Sequence, residues 1–123
     1  QETGSLTTVY TSPGRQHFHP AASKCWGQAT GDGTTLNVSY NVTSIGDTGT
    51  GQLTVTIATD FSSANYSIVP GIETSAAANA GMYCTSESHA AGSFIIESWQ
   101  ADATDGILTD PDSYSWACFG DHV

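Results

Sequence analysis

Positive charge is what this sequence most lacks. Its two Lys and Arg residues stand against twelve Asp and Glu residues, and the formal net charge is −10 at pH 7. A surface of this kind repels the phosphates of nucleic acids and of anionic lipid headgroups. The sequence also has no run that approaches the roughly 18 consecutive apolar residues of a membrane helix. We therefore expect neither a nucleic-acid partner nor membrane insertion.

Cysteine is scarce as well. The three cysteines, Cys25, Cys84 and Cys118, are too few for a disulfide scaffold, and an odd number leaves at least one thiol unpaired. Free cysteines of this kind most often act as small buried hydrophobic residues. Whether any two of them pair is left open by the sequence.

The length of 123 residues fits one domain with a single hydrophobic core. The chain begins at Gln1 without a Met, so we expect a fragment or a processed product. Its first part contains "TSPGRQHFHP", which has two prolines and no sustained apolar pattern. We predict an extended arm or linker over residues 1–20 and a β-sandwich domain over residues 21–123.

Long amphipathic helical patterns are also absent, and short runs of β-branched and aromatic residues recur between turn sequences such as "TGDGTT" and "DPDS". The clearest run alternates Leu53, Val55 and Ile57 with threonines, which is typical of a strand with one face in the core. The pattern predicts an all-β fold, an antiparallel β-sandwich or jelly roll of about eight strands. The predicted strands cover residues 6–11, 23–30, 34–45, 51–59, 66–73, 82–87, 93–100 and 114–119.

Three stretches carry a resemblance to a known family. They are "SPGRQHFHPAASKCWG", "LNVSYNVTSIGDTGTGQLTVTIATDFSSANYSIV" and "DSYSWACFGDH". Together they resemble a C-terminal domain of tail-fibre and other virion surface proteins of tailed bacteriophages and prophages. The similarity runs from about residue 12 to the end of the chain and is most specific in the "SYNVTSIGDTGTG" hairpin. Cys25 departs from the family pattern, in which a small apolar residue more usually precedes the Trp.

The resemblance implies a homotrimeric, all-β tip or appendage on the virion, made in the cytoplasm of a bacterial host. Its expected function is to bind a receptor on the bacterial surface, a glycan in the first instance or a protein, beside contacts with other virion proteins. The alternative is a purely structural virion module, a capsid decoration or a fibre cap, that binds no receptor. A glycan-degrading enzyme is the least favoured reading.

Catalytic chemistry has one candidate region, the acidic loop "QADATDGILTDPDS". Two of its carboxylates could serve a glycosidase if one were kept protonated in an apolar pocket. The same residues could bind calcium, although the EF-hand spacing is not met, or form a solvated turn that caps backbone N–H groups. No motif of another enzyme class is present, so we expect a protein without catalytic residues. The four acidic side chains are those of Asp102, Asp105, Asp110 and Asp112.

Receptor-binding residues are predicted in the polar loops, which gather at the ends of a sandwich. The candidates are the four Asp residues of the acidic loop together with Glu87 and His89. Tryptophan rings are a second possibility, because aromatic faces can stack on sugar rings. However, Trp26, Trp99 and Trp116 lie inside predicted strands, and this position favours packing in the core or in an interface.

A metal site is predicted at "QHFHP". In an extended arm, His17 and His19 point to the same side. Three chains around an axis would offer six imidazoles, enough for an octahedral transition metal such as iron, nickel or zinc. The alternative is that both histidines are hydrogen-bonded or face solvent at a trimer seam. No cofactor is required by anything else in the sequence.

Overall fold

The computed structural model describes residue 19 and residues 21–75, 81–101 and 105–122. Within these residues the protein is all-β, as predicted, and no helix among them is long and apolar enough to cross a membrane. The nine strands are β1 (Cys25–Thr30), β2 (Leu36–Tyr40), β3 (Val42–Gly49), β4 (Gln52–Ile57), β5 (Ser67–Glu73), β6 (Met82–Ala90), β7 (Ser93–Ala101), β8 (Gly106–Leu108) and β9 (Ser113–Phe119).

The strands form two antiparallel sheets that face each other as a β-sandwich. Sheet A has the order β2-β1-β9-β5, and sheet B has the order β3-β4-β7-β6. The short strand β8 pairs with the end of β7, beyond the residues of β7 that pair with β4. Strand β5, with Pro70 at its centre, is an outer edge of sheet A.

The core lies between the two sheets and follows the alternation of their strands. In β4, Leu53, Val55 and Ile57 are buried, and the threonines between them lie on the outer face, as the sequence predicts. Aromatic residues from both sheets meet in this layer. Phe94 of β7 packs edge-on against Trp116 of β9, with ring centroids 6.4 Å apart.

The predicted strand over residues 34–45 is wrong, because the chain changes sheet in the middle of it. Asn41, with φ 59°, is the single residue between the end of β2 in sheet A and the start of β3 in sheet B. Asparagine is one of the few residues that adopt this left-handed conformation readily. Its Nδ2 donates to the carbonyl oxygens of Lys24 and Thr59, both at 3.0 Å, and its Oδ1 accepts from the backbone N–H of Thr59 at 2.7 Å. We call this residue the Asn41 corner.

Two further differences concern the strand ends. The segment predicted as 82–87 continues to Ala90, through a bulge after Glu87 in which Ser88 has φ 51°. Strand β8 was not predicted, because a Gly-Ile-Leu run of three residues inside an acidic loop carries almost no strand signal. The predicted strand 6–11 and all but one residue of the predicted arm 1–20 lie outside the described residues.

Candidate functional site

The outer face of sheet B carries an aromatic pair beside polar side chains. Tyr83 of β6 lies directly opposite Trp99 of β7 in the strand register, and Glu97 precedes Trp99 by two residues. Residues two apart on a strand share a face, so these three side chains lie on the same side of the sheet. Gln52 of β4 lies opposite Glu97 and completes the group. We call Gln52, Tyr83, Glu97 and Trp99, with Gly106 beneath them, the sheet B platform.

The carboxylate of Glu97 fixes the arrangement of the platform. One of its oxygens accepts a hydrogen bond from Nε2 of Gln52 at 2.8 Å, and the other accepts from the indole Nε1 of Trp99 at 3.2 Å. A carboxylate has about four acceptor positions, so Glu97 keeps capacity for further donors. The hydrogen bond to Glu97 therefore fixes the orientation of the Trp99 indole, and the Glu97 carboxylate and the Gln52 amide lie beside the ring.

Gly106 allows the two rings to come together. A Cβ atom at this position would lie 2.8 Å from the Tyr83 hydroxyl, closer than real Cβ contacts come, and 3.1 Å from Cε3 of Trp99, which is a tight contact. Both rings thus converge over the backbone of β8, which is the strand that the sequence did not reveal. Tyr83 remains 46% exposed, and Trp99 is half-buried.

The outer face of sheet A has a different character. Trp26 and Tyr40 lie opposite each other on β1 and β2 and stack, with centroids 6.3 Å apart and planes at 17°. Ala117 and Val69 continue the same register row across β9 and β5. Trp26 is 39% exposed, Tyr40 40% and Val69 58%. We call these four residues the apolar row.

Charge is nearly absent from the strands around the apolar row. Glu73, at the end of β5, is the one acidic residue in the four strands of sheet A, which contain no Lys, Arg or His. The neighbouring outward positions hold Gln28 and Ser115. In a chain with net charge −10, a face with so few charged residues gives little electrostatic repulsion between two copies that meet on it.

Asp110 and Asp112, two of the predicted acidic residues, are bonded to different parts of the backbone. Asp110 accepts a hydrogen bond from the backbone N–H of Gly51 at 2.5 Å, and Asp112 accepts from the backbone N–H of Ser75. The two carboxylates thus cap two different loops, and Asp105 is exposed at the start of β8. Asp102 lies outside the described residues. Among the described residues, no group of His, Cys, Asp and Glu side chains could hold a metal ion.

Glu87 and His89 lie on either side of the β6 bulge. Glu87 is exposed and opposite Ile95 on the outer face of sheet B. The His89 ring stacks on Tyr66 with centroids 5.6 Å apart, and its Nε2 is 3.2 Å from the hydroxyl of Ser86. Tyr66 is buried and donates to the carbonyl oxygens that flank the β6–β7 turn, and its burial raises the pKa of the phenol. His89 thus packs against the end of the core.

The predicted metal pair is described only in part, because His17 lies outside the described residues. His19 is exposed, and its Nδ1 accepts a hydrogen bond from the backbone N–H of Ala21 at 3.1 Å. Its carbonyl oxygen accepts from Nζ of Lys24 at 3.2 Å. Lys24 is 3% exposed, so this cation is enclosed by the protein. The metal site itself stays a prediction.

The three tryptophans divide between core and surface. Trp116 is 4% exposed and belongs to the core, as predicted, whereas Trp26 and Trp99 lie on the two outer faces. Sequence reasoning missed the sheet B platform, although one signal was present. In the run "FIIESWQ", the buried Phe94 and Ile96 alternate with Glu97 and Trp99, which places the last two on the outer face.

Comparison with known proteins gives no further constraint. No family model matches the chain, and no curated protein or solved structure is significantly similar to it.

Proposed function

We propose that this chain is a non-catalytic, glycan-binding domain of a tailed-bacteriophage surface protein and that the sheet B platform is its binding site. The single observation that carries the choice of site is the bonding of Glu97 to both Gln52 and Trp99 beside the exposed Tyr83 ring. The choice of biological setting rests on the family resemblance of the sequence alone.

The platform has the chemistry that a sugar ring requires. One face of a pyranose is a patch of C–H groups that packs on an aromatic ring, and its rim is a circle of hydroxyl donors and acceptors. Trp99 and Tyr83 offer the rings, while the Glu97 carboxylate and the Gln52 amide accept from and donate to hydroxyl groups. The ligand class that fits this surface is therefore a neutral or amino-bearing bacterial polysaccharide rather than an acidic one, since Glu97 and Glu87 carry negative charge nearby.

We further propose that the domain is a homotrimer in which the apolar row of sheet A contacts another copy. An exposed row of large apolar side chains is typical of protein contact surfaces, and sheet A offers it on a face with little charge. The opposite sheet would then face outward from the trimer toward the host surface. In this arrangement the protein is displayed on the virion beside other virion proteins after synthesis in the bacterial cytoplasm.

The proposal is tested with one variant inside the sheet B platform and one variant outside it. Purified lipopolysaccharide O-chains and capsular polysaccharides from a panel of bacterial strains serve as probes, with binding followed by isothermal calorimetry and by adsorption to intact cells. We expect Trp99→Ala to weaken binding at least about tenfold, in line with the loss of one stacking contact. The control is Thr54→Ala, on the outer face of sheet B but outside both the sheet B platform and the apolar row, and it should leave the affinity unchanged. Equal losses in both variants, or none in either, would contradict the choice of site.

The structural-module alternative makes a different prediction. It gains if the parent protein neither adsorbs to host cells nor competes with phage for them, while the apolar row still mediates assembly. The enzyme alternative gains only if incubation releases oligosaccharides and if Asp105→Asn or Asp110→Asn abolishes the release. Because Asp110 bonds the backbone of Gly51, a loss of activity in that variant would need to be accompanied by an unchanged melting temperature.

A further inference from the structure

Cys25 and Cys118 lie directly opposite each other on β1 and β9, the two central strands of sheet A. Cys25 begins β1 and Cys118 lies near the end of β9, and the two form a register pair of these antiparallel strands. Both side chains are 0% exposed and belong to the core cluster, so both point to the inner face of the sheet. The cysteines are thus far apart in sequence but are immediate neighbours in the fold.

Their separation is suited to a covalent link. Opposed residues of antiparallel strands have Cα atoms about 4.5–5.5 Å apart, whichever hydrogen-bonding position they occupy. Disulfides join cysteines whose Cα atoms are about 4.4–6.8 Å apart. Both side chains lie in the same buried core cluster on the inner face of sheet A, so the two thiols are directed to the same side of the strand pair.

Cys84 has no such neighbour. It lies on β6 in sheet B, opposite Ser98, and packs against the core from the other sheet. Burial raises the pKa of its thiol, which lowers its reactivity as a nucleophile. The structure therefore separates the three cysteines into one opposed pair and one single thiol.

We propose that Cys25 and Cys118 form a cross-strand disulfide when the protein folds or transiently opens in the presence of a low-molecular-weight disulfide, and that they are a dithiol under reducing conditions. Both thiols are 0% exposed in the folded protein, so a thiolate meets the oxidant only before the strands have paired or after they have opened. Either cysteine can then attack first, and the balance of the exchange is the same when Cys25 is the first nucleophile as when Cys118 is.

With oxidised glutathione as the oxidant, the step balances as two exchanges. The Cys25 thiolate attacks one glutathione sulfur, forms a mixed disulfide and releases one glutathione thiolate. The Cys118 thiolate then attacks the Cys25 sulfur of the mixed disulfide, forms the Cys25–Cys118 bond and releases the second glutathione. The protein loses two protons and two electrons, and one glutathione disulfide becomes two glutathione thiols.

The test counts thiols after refolding. The protein is unfolded in denaturant with a reductant, refolded with either reduced glutathione or a mixture of reduced and oxidised glutathione, and alkylated with iodoacetamide in denaturant. We expect three alkyl groups after reducing refolding and one after oxidising refolding. Peptide mapping of the oxidised sample should show the Cys25 and Cys118 peptides linked and Cys84 alkylated.

Cys84→Ser is the matched variant, because it removes the single thiol and leaves the opposed pair intact. It should give two alkyl groups after reducing refolding and none after oxidising refolding, with a higher urea midpoint in the oxidised form. Three alkyl groups in the oxidised parent, or a disulfide that contains Cys84, would overturn the proposal. Because these readouts use the pair itself, neither Cys25 nor Cys118 has to be substituted.

Discussion

The two outer faces of this sandwich each present a pair of aromatic rings, and their neighbours differ. On sheet B, Trp99 is held by a carboxylate that also bonds an amide, within a surface of threonines and glutamates. On sheet A, Trp26 stacks on Tyr40 within a row that continues into Ala117 and Val69 and includes no charged group. An exposed aromatic pair therefore does not indicate one kind of ligand by itself. The groups beside it decide: polar neighbours favour a sugar, and apolar neighbours favour another protein surface.

The largest expected effect comes from placing a charge on each face in turn. Val69→Asp puts a carboxylate into the apolar row, and burial of an unpaired charge in a subunit contact is costly enough to prevent assembly. We expect its mass in solution to fall to one third of the parent's, measured by light scattering coupled to gel filtration. The control Thr54→Asp, on the outer face of sheet B, should retain the parent mass. A monomeric parent at micromolar concentration would refute the trimer and with it this use of sheet A.

The next largest effect concerns the Asn41 corner, where the chain passes from sheet A to sheet B. Asn41→Ala removes the side-chain hydrogen bonds and places alanine in a left-handed conformation, and we expect the free energy of unfolding to fall by about 2–4 kcal/mol. Asn41→Gly loses the same hydrogen bonds but keeps the conformation, and it should cost about 1–2 kcal/mol less than alanine. Urea denaturation of both variants provides the measurement. Equal costs would show that the backbone conformation contributes nothing.

A smaller effect is confined to the sheet B platform. Gly106→Ala introduces a Cβ that would lie too close to the Tyr83 hydroxyl and tightly against the Trp99 ring, so both rings must shift from their present positions. We expect about a tenfold loss of polysaccharide affinity, which corresponds to about 1.4 kcal/mol. Gly46→Ala is the matched control, because it lies on the same outer face and its Cβ would meet no atom within 4 Å. A loss of affinity in the control would mean that the binding surface extends to β3.

The smallest effect concerns acid stability at one turn of sheet A. Hydrogen bonds from the Thr30 hydroxyl and from Thr34 lower the pKa of Asp32 from its ordinary value of 3.8. A carboxylate with a lowered pKa in the folded state contributes stability above the unfolded pKa, and the contribution disappears as the pH falls through the folded value. Asp32→Asn should therefore be less stable than the parent at pH 6, with the difference shrinking below about pH 4. Urea midpoints measured from pH 6 down to about pH 2 test this, and a difference that stays constant over the whole range would contradict the assignment.

Much of the fold could be read from the sequence, and the exceptions have physical causes. The alternation of Leu53, Val55 and Ile57 was sufficient to place β4 and its buried face. The Asn41 corner was not recognised, because the run "LNVSYNVTSI" contains no Gly or Pro and Asn was read as a strand residue. Local patterns cannot tell that the two halves of this run belong to different sheets.

The candidate site was less accessible to sequence reasoning. Polar loops were favoured, and Asp110 and Asp112 proved to bond the backbone of neighbouring loops. The platform depends on the register of the β6–β7 hairpin, which the bulge after Glu87 changes, and on the approach of β8, whose three residues carry almost no strand signal. The opposition of Cys25 and Cys118 likewise exists only after β1 and β9 have paired.

Pro70 has a consequence for how this protein tolerates crowding. An exposed edge strand with a full set of N–H and C=O groups is a template on which the strand of another molecule can add, and repeated addition leads to fibrillar aggregates. Proline has no N–H, so β5 cannot continue the hydrogen-bond ladder through its centre. Copies held at high local concentration would therefore be protected from edge-to-edge strand addition at β5, the edge of sheet A opposite to β2.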